Sequence, residues 1–450
     1  MRVQTALRGT AATVTFLVLT IALAELAAWV LLRCSIATLP SRSEIQASLD
    51  PPARSVAGPQ TPGEPRPPEF LRQHILHPYL GFVRNPDVQR HVFSSRVVEE
   101  PVNEYGFFGP SPLETGDAET VTVVITGGSV ATDLYLRSSE VLRTELRKSP
   151  LLADRRIRIL CLALGGMKQP QQLLALEYFL SLGASFDVVI NLDGFNEIAL
   201  PFAENVPAGL PVSLPRSWQL YTAQIADDRS AMLLAWMSEK RRQIERTRGF
   251  FSRDPFRHSS VCLILWDRLH AGLRSELLAL EERLRDLLPP SQTGRHPSNT
   301  RATEEVLVES TELWNRSSIQ MWKICRSNGS VYVHVLQPNQ YVGGSKLLDA
   351  RERRIAWPPG FAHRRAAEQG YPLLIAAGEG LKQLGVPFRD LTRIFEAETG
   401  EIYVDPCCHY NQRGNDMLAT EIARFVAASI ERAGASLPKH RGGSEGPPAS

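Results

Sequence analysis

Val121-Thr-Val-Val-Ile-Thr-Gly-Gly-Ser129 is a β-branched apolar run that breaks at a glycine pair and ends on a serine. Such a run favours a strand, Gly-Gly marks a tight turn, and Val130 to Leu146 continues with helical spacing. The segment therefore reads strand, turn, helix. That arrangement lifts the serine hydroxyl to the carboxyl end of a buried strand, beside the bare amides of a helix start. Two later runs follow the same plan: Ile159-Leu-Cys-Leu-Ala-Leu-Gly-Gly166 and Asp187-Val-Val-Ile-Asn-Leu-Asp-Gly194-Phe-Asn196. Strands are expected at 121–126, 157–163, 187–192 and 331–336, with a shorter one near 386–390. Helical patterns between them predict an α/β fold, a parallel sheet covered on both faces.

A serine nucleophile needs a base, and the base needs an orienting group. Asp405-Pro-Cys-Cys-His409 supplies both residue types near the far end of the chain. Taken in order, Ser129, Gly166, Asn196 and His409 resemble the four blocks of the SGNH (GDSL-type) hydrolases, over roughly residues 74 to 435. The resemblance implies a three-layer, flavodoxin-like sandwich of the membrane-anchored envelope kind. It also implies Ser129 as nucleophile, His409 as base and Asp405 as its orienting acid. The oxyanion hole would combine the amides of Ser129 and Gly166 with the Asn196 side chain, Gly165 being the alternative to Gly166. Two departures stand out. Position 128 is Gly where the family usually has Asp, and the last block is stretched from Asp-x-x-His to Asp-x-x-x-His.

Each residue also has a plainer reading. Ser129 could be a helix N-cap, Asn196 a turn residue, Gly166 a purely conformational glycine and His409 a loop histidine. His334 reads as a strand-end histidine, with Gln337, Asn339 and Gln340 as candidate ligand contacts. Trp218, Trp236, Trp266 and Trp314 read as core.

With 450 residues, 43% of them apolar, and a net charge of +2, the chain can bury a large core and shows no basic tract suited to nucleic acid. Six cysteines make no disulfide framework, and no zinc-like cluster, phosphate loop or dinucleotide fingerprint is present, so no cofactor or metal is expected. Adjacent Cys407 and Cys408 are read either as buried thiols or as partners of Cys161 or Cys325.

Residues 1–34 read as a signal anchor. Ala11 to Leu32 is apolar except for a few threonines and Glu25, and as a helix it spans roughly 33 Å. Cleavage after Ala22-Leu-Ala24 is the alternative, but continuation of the run to Leu32 favours an uncleaved single-pass anchor in a bacterial inner membrane, with the remainder exported. Residues 35–70 read as a Pro-rich linker and 71–435 as the hydrolase domain. Within that domain 203–300 reads as a helical cap insertion, and 436–450 as a disordered tail. The expected function is ester hydrolysis through an acyl-enzyme on an extracytoplasmic substrate, such as an O-acetylated polysaccharide. Envelope O-acetyltransferase activity and a non-catalytic scaffold stay open as alternatives, as does the oligomeric state.

Overall fold

The computed structural model describes residues 19–20, 22–32, 42–49, 73–88, 90–93, 96–117, 119–222, 228–287, 302–358 and 360–434. Among the described residues nine strands run in chain order: β1 His74–His77, β2 Gly81–Arg84, β3 His91–Phe93, β4 Arg96–Val98, β5 Thr120–Gly127, β6 Arg156–Ala163, β7 Val188–Asp193, β8 Val331–Leu336 and β9 Phe388–Asp390. The first four form two small antiparallel hairpins. The other five form one sheet in the order β6-β5-β7-β8-β9, parallel throughout.

Every residue of β5, β7 and β8 is buried, which explains why these strands read as continuous apolar runs rather than alternating ones. Helix Ser129–Leu146 packs on helix Gln412–Arg432, and helix Thr303–Ser327 packs on Arg364–Gln383. The central parallel sheet and its covering helices are as expected. Renumbered by first appearance, the sheet order is 2-1-3-4-5, so the chain reverses its direction of growth between β5 and β7. Ligand crevices in doubly wound sheets open at that switch point, outside the carboxyl ends of the strands. Gly127 is in register with Ala163 on one side and Leu192 on the other. The turns bearing Ser129, Gly166 and Asn196 therefore leave the sheet at one edge.

The chain divides into two compact units, Phe70–Thr222 with Pro289–Ser450, and Met1–Glu69 with Ala223–Leu288. This corrects the insertion boundary. Residues 203–222 belong to the unit that holds the sheet, and within them Asn205 Nδ2 donates to the carbonyls of Pro211 (3.1 Å) and Leu214 (2.9 Å). In the other unit, helices Asp228–Phe251 and Ser260–Leu287 pack together around Ile244, Phe251, Leu263 and Trp266.

Helix Arg42–Leu49 adds Ile45 and Leu49 to that cluster, so the 35–70 stretch is not linker throughout. Its apolar residues at positions 45 and 49, one helical turn apart, were masked in the sequence by the surrounding prolines. Glu25 accepts hydrogen bonds from Ser259 Oγ and from Ser260 N (2.8 Å), a carboxylate at the positive end of a helix. Among the described residues no helix is long and apolar enough to cross a membrane. Residues 1–18 of the expected anchor, and the 436–450 tail, lie outside the described residues.

Candidate active site

Ser129 is the first residue of its helix, and Gly128 takes the N-cap position. The plain capping role for the serine is therefore filled by a residue with no side chain. The first amides of this helix lack intrahelical acceptors, as at any helix start. Gly127 shows why the approach is glycine-rich: its φ is +144°, and a Cβ there would lie 2.0 Å from the Leu192 carbonyl oxygen.

Asn196 reaches Ser129's turn from β7. Its Nδ2 donates to the Met167 carbonyl (2.9 Å), and a Cβ on Gly128 would fall 2.2 Å from that same nitrogen. The space that a side chain at position 128 would need is thus filled by the Asn196 amide, which accounts physically for the departure from Gly-Asp-Ser. Next in the same helix is the buried Glu197. That carboxylate accepts from Gly194 N (2.8 Å) and from Gln172 Nε2 (3.0 Å). Burial, then the charge of Asp193, pushes the Glu197 carboxyl up to about 8. Burial also lowers the Lys168 ammonium to about 7, and its Nζ donates to the Val212 carbonyl.

Gly166 sits in a turn closed by Met167 N to Leu164 O (2.9 Å), with φ of +80°, the left-handed position of a type II turn. The closing bond leaves the Gly166 amide uninvolved. A Cβ on Gly166 would lie 3.0 Å from Arg216 Cδ, and one on Gly165 3.2 Å from the Phe93 ring.

Asp405 and His409 meet directly. Asp405 Oδ2 bonds His409 Nδ1, while Oδ1 accepts from the amides of Cys407 (2.9 Å), Cys408 (3.1 Å) and His409 (3.3 Å). The extra residue in Asp-x-x-x-His lets one carboxylate cap its own turn and still reach the imidazole. His409 has 12% of its side chain exposed, and its Nε2 is buried without a partner among the described residues. Burial disfavours the charged imidazole, but the Asp405 hydrogen bond and charge outweigh it. With smaller help from Cys407 and Asp133, they lift His409 to about 9.

Asp133 lies one helical turn beyond Ser129. The helix that follows His409 packs on the Ser129 helix, and Phe93 lies against both the His409 ring and the Gly165 turn. No hydrogen bond joins Ser129 Oγ to His409 Nε2, a separation common in unliganded sites that tighten around substrate.

Four neighbours carried no signal in the sequence. Phe93, in the β3–β4 hairpin, sets its ring 6.4 Å from the His409 ring. Arg216 is clamped by Glu204 (2.7 and 2.8 Å), which also accepts from His363 Nε2 (3.0 Å). His334, by contrast, belongs to the interior. Its Nε2 bonds Asp193 Oδ1 (2.8 Å), its Nδ1 bonds Ser318 Oγ (2.7 Å), and Trp314 Nε1 donates to the same Asp193 oxygen (2.7 Å).

A surface hollow of about 1050 Å³ is lined by residues that include Lys382, Arg389, Arg393, Arg413 and Arg424, and by none of Ser129, Asn196 or His409. Of the residues that could hold a metal, Cys407, Cys408 and His409 lie close enough together.

No family model matches the chain, and no curated protein matches it. Among solved structures it is similar to a candidate acylhydrolase of Bacteroides fragilis at 10% identity, covering 69% of this chain and 88% of that one, with a TM-score of 0.32. An acetyl xylan esterase is similar at 12% identity, over 70% of this chain and 99% of that one, with a TM-score of 0.30. Likenesses this distant carry no argument about activity.

Proposed function

We propose that the chain is a serine ester hydrolase of the SGNH type. The observation that carries this reading is the Asp405–His409 pair, whose buried Nε2 has no partner among the described residues, on the turn before the helix that packs on the Ser129 helix. Neutral His409 takes the Ser129 proton as Oγ attacks the ester carbonyl, and Asp405 holds the tautomer and stabilises the imidazolium. Negative charge on the carbonyl oxygen meets the amides of Ser129 and Gly166 and the second Nδ2 hydrogen of Asn196. His409 then returns the proton to the leaving alcohol, and water cleaves the acyl-enzyme by the same route.

An O-acetylated glycan outside the cytoplasm is the substrate class we infer, from the apolar 11–32 segment and the resemblance to envelope members. The purified protein is expected to hydrolyse p-nitrophenyl acetate, with the activity lost in Ser129→Ala and in His409→Ala. Equal turnover in wild type and both variants would reject the assignment. A second reading, a non-catalytic scaffold of the same fold, draws on the missing Ser129–His409 hydrogen bond. It predicts no turnover of any short ester.

A further inference from the structure

Cys407 and Cys408 have no role in the chemistry above, yet they form the turn that holds its base. Cys407 Sγ lies 3.3 Å from Cys408 Sγ, and both are free thiols. Cys407 is half-buried, so a small reagent has access, while Cys408 is 1% exposed. Expected partners for either, Cys161 and Cys325, are themselves free and buried. The turn around the pair is tied down on both sides: Asn339 Nδ2 donates to the Cys407 carbonyl (3.2 Å) and Tyr341 OH to the Pro406 carbonyl (2.7 Å). These bonds hold the two sulfurs together while leaving one within reach of solvent.

We propose that Cys407 and Cys408 form an oxidisable vicinal dithiol whose closure to a disulfide switches off the Asp405–His409 pair. The oxidant is a small disulfide of the oxidised-glutathione class. The Cys407 thiolate, having lost its proton to water, attacks one oxidant sulfur; a mixed disulfide forms and one thiolate leaves. Cys408, deprotonated in turn, attacks the Cys407 sulfur, and the second thiolate leaves. Two electrons and two protons pass from the protein to the oxidant, which ends as two thiols.

Residues joined by one peptide hold their Cα atoms about 3.8 Å apart, short of the ~4.4–6.8 Å that disulfides usually span. Ring closure therefore has to reshape the 407–408 segment. The amides of that segment are the ones Asp405 Oδ1 holds, while its Oδ2 holds His409. Losing the group that orients a catalytic imidazole lowers turnover by about 10²–10⁴-fold.

The idea rests on the hydrolase reading only for its effect on activity, so the test has two readouts that do not need catalysis. Full-length protein is treated with oxidised glutathione, alkylated, digested and weighed. The peptide containing residues 407 and 408 is expected to be unalkylated and lighter by two hydrogens, and to become doubly alkylated after dithiothreitol. The His409 ring resonance, assigned by its loss in His409→Gln, is expected to titrate at lower pH in the oxidised protein. Ester hydrolysis is expected to fall on oxidation and return on reduction, while Cys407→Ser, which keeps the amide that Asp405 holds, gives no oxidant response. Two thiols still alkylated after oxidant, a glutathione adduct that never closes to the ring, or an unchanged His409 titration would each overturn the proposal. If those two readouts succeed in a protein that turns over no ester, it is the hydrolase reading that fails.

Discussion

At His409 two opposing effects meet, and the balance sets the pH response. Burial works against the imidazolium and Asp405 works for it, and the carboxylate prevails, leaving the ring near 9. A base must be neutral to act, so kcat/KM for p-nitrophenyl acetate is expected to rise about tenfold per pH unit below that value and level off above it. Asp405→Asn is expected to lower both the plateau and the apparent pKa, and a profile unchanged in that variant would show that the pair does not govern turnover.

Stability follows the opposite sign for the histidine. Its folded pKa lies above the unfolded value of about 6.5, so its contribution is complete below that pH and is lost as pH rises through about 9. Asp405 is held below its ordinary value despite its burial, chiefly by His409, so its contribution is present above about pH 4 and lost as pH falls through its folded pKa. The Tm difference between wild type and His409→Gln should be largest between about pH 4 and 6.5 and shrink on either side. A flat difference would contradict this.

Asn196 gives a second residue-scale expectation. Asn196→Ala should lose about 10²–10³ in kcat with little change in KM, as for a donor that acts on the oxyanion. Gly128→Ala should cost a comparable amount, because its Cβ would press on the Asn196 amide. A Gly128→Ala enzyme with wild-type kcat would show that the contact does not matter. The serine, the histidine and the asparagine were legible because each ends a buried run or follows an acid. The close approach of Gly128 to Asn196 was not, since nothing in sequence reports the distance between residues 68 positions apart.

Among the elements, the turn carrying Asp405 and His409 owes its place to a buried ion pair. Lys346 Nζ bonds Glu352 Oε2 at 2.6 Å with neither side chain exposed. The other carboxylate oxygen of Glu352 accepts from Ile402 N (2.8 Å) and Tyr403 N (2.7 Å), and the turn closes through Val404 N to His409 O (3.1 Å) and Asn411 N to Ile402 O (2.8 Å). Glu352→Ala would strand a buried ammonium and two amides, and is expected to cost about 3–5 kcal/mol in urea denaturation. A loss below about 1 kcal/mol, the level of a surface pair, would contradict that role.

Strands β5, β7 and β8 could be read from the chain because full burial leaves them largely apolar. The Glu352 support could not: a charged residue in a helix such as Ala350–Ala356 looks like solvent-facing surface until the turn from elsewhere is laid against it. Arg216 was missed for a related reason, since the helical, charged composition of 203–300 concealed that its first part belongs with the sheet.

For the molecule as a whole, the sheet order puts the reversal between the strands that deliver Ser129 and Asn196, and the helix that follows His409 packs on the one that Ser129 opens. The two compact units each have their own apolar cluster. A chain lacking 1–69 and 223–288, with 289–301 kept as the bridge, is expected to melt cooperatively, and a broad transition without cooperativity would contradict that independence. The proposed mechanism requires the Ser129 hydroxyl to be activated by an imidazole 280 residues further along the chain. Treating the protein with diisopropyl fluorophosphate and mapping the adduct by mass spectrometry tests it most directly. A phosphoryl group is expected on Ser129 alone, formed far more slowly in His409→Gln; an unlabelled Ser129, or labelling at the same rate without the histidine, would contradict that activation.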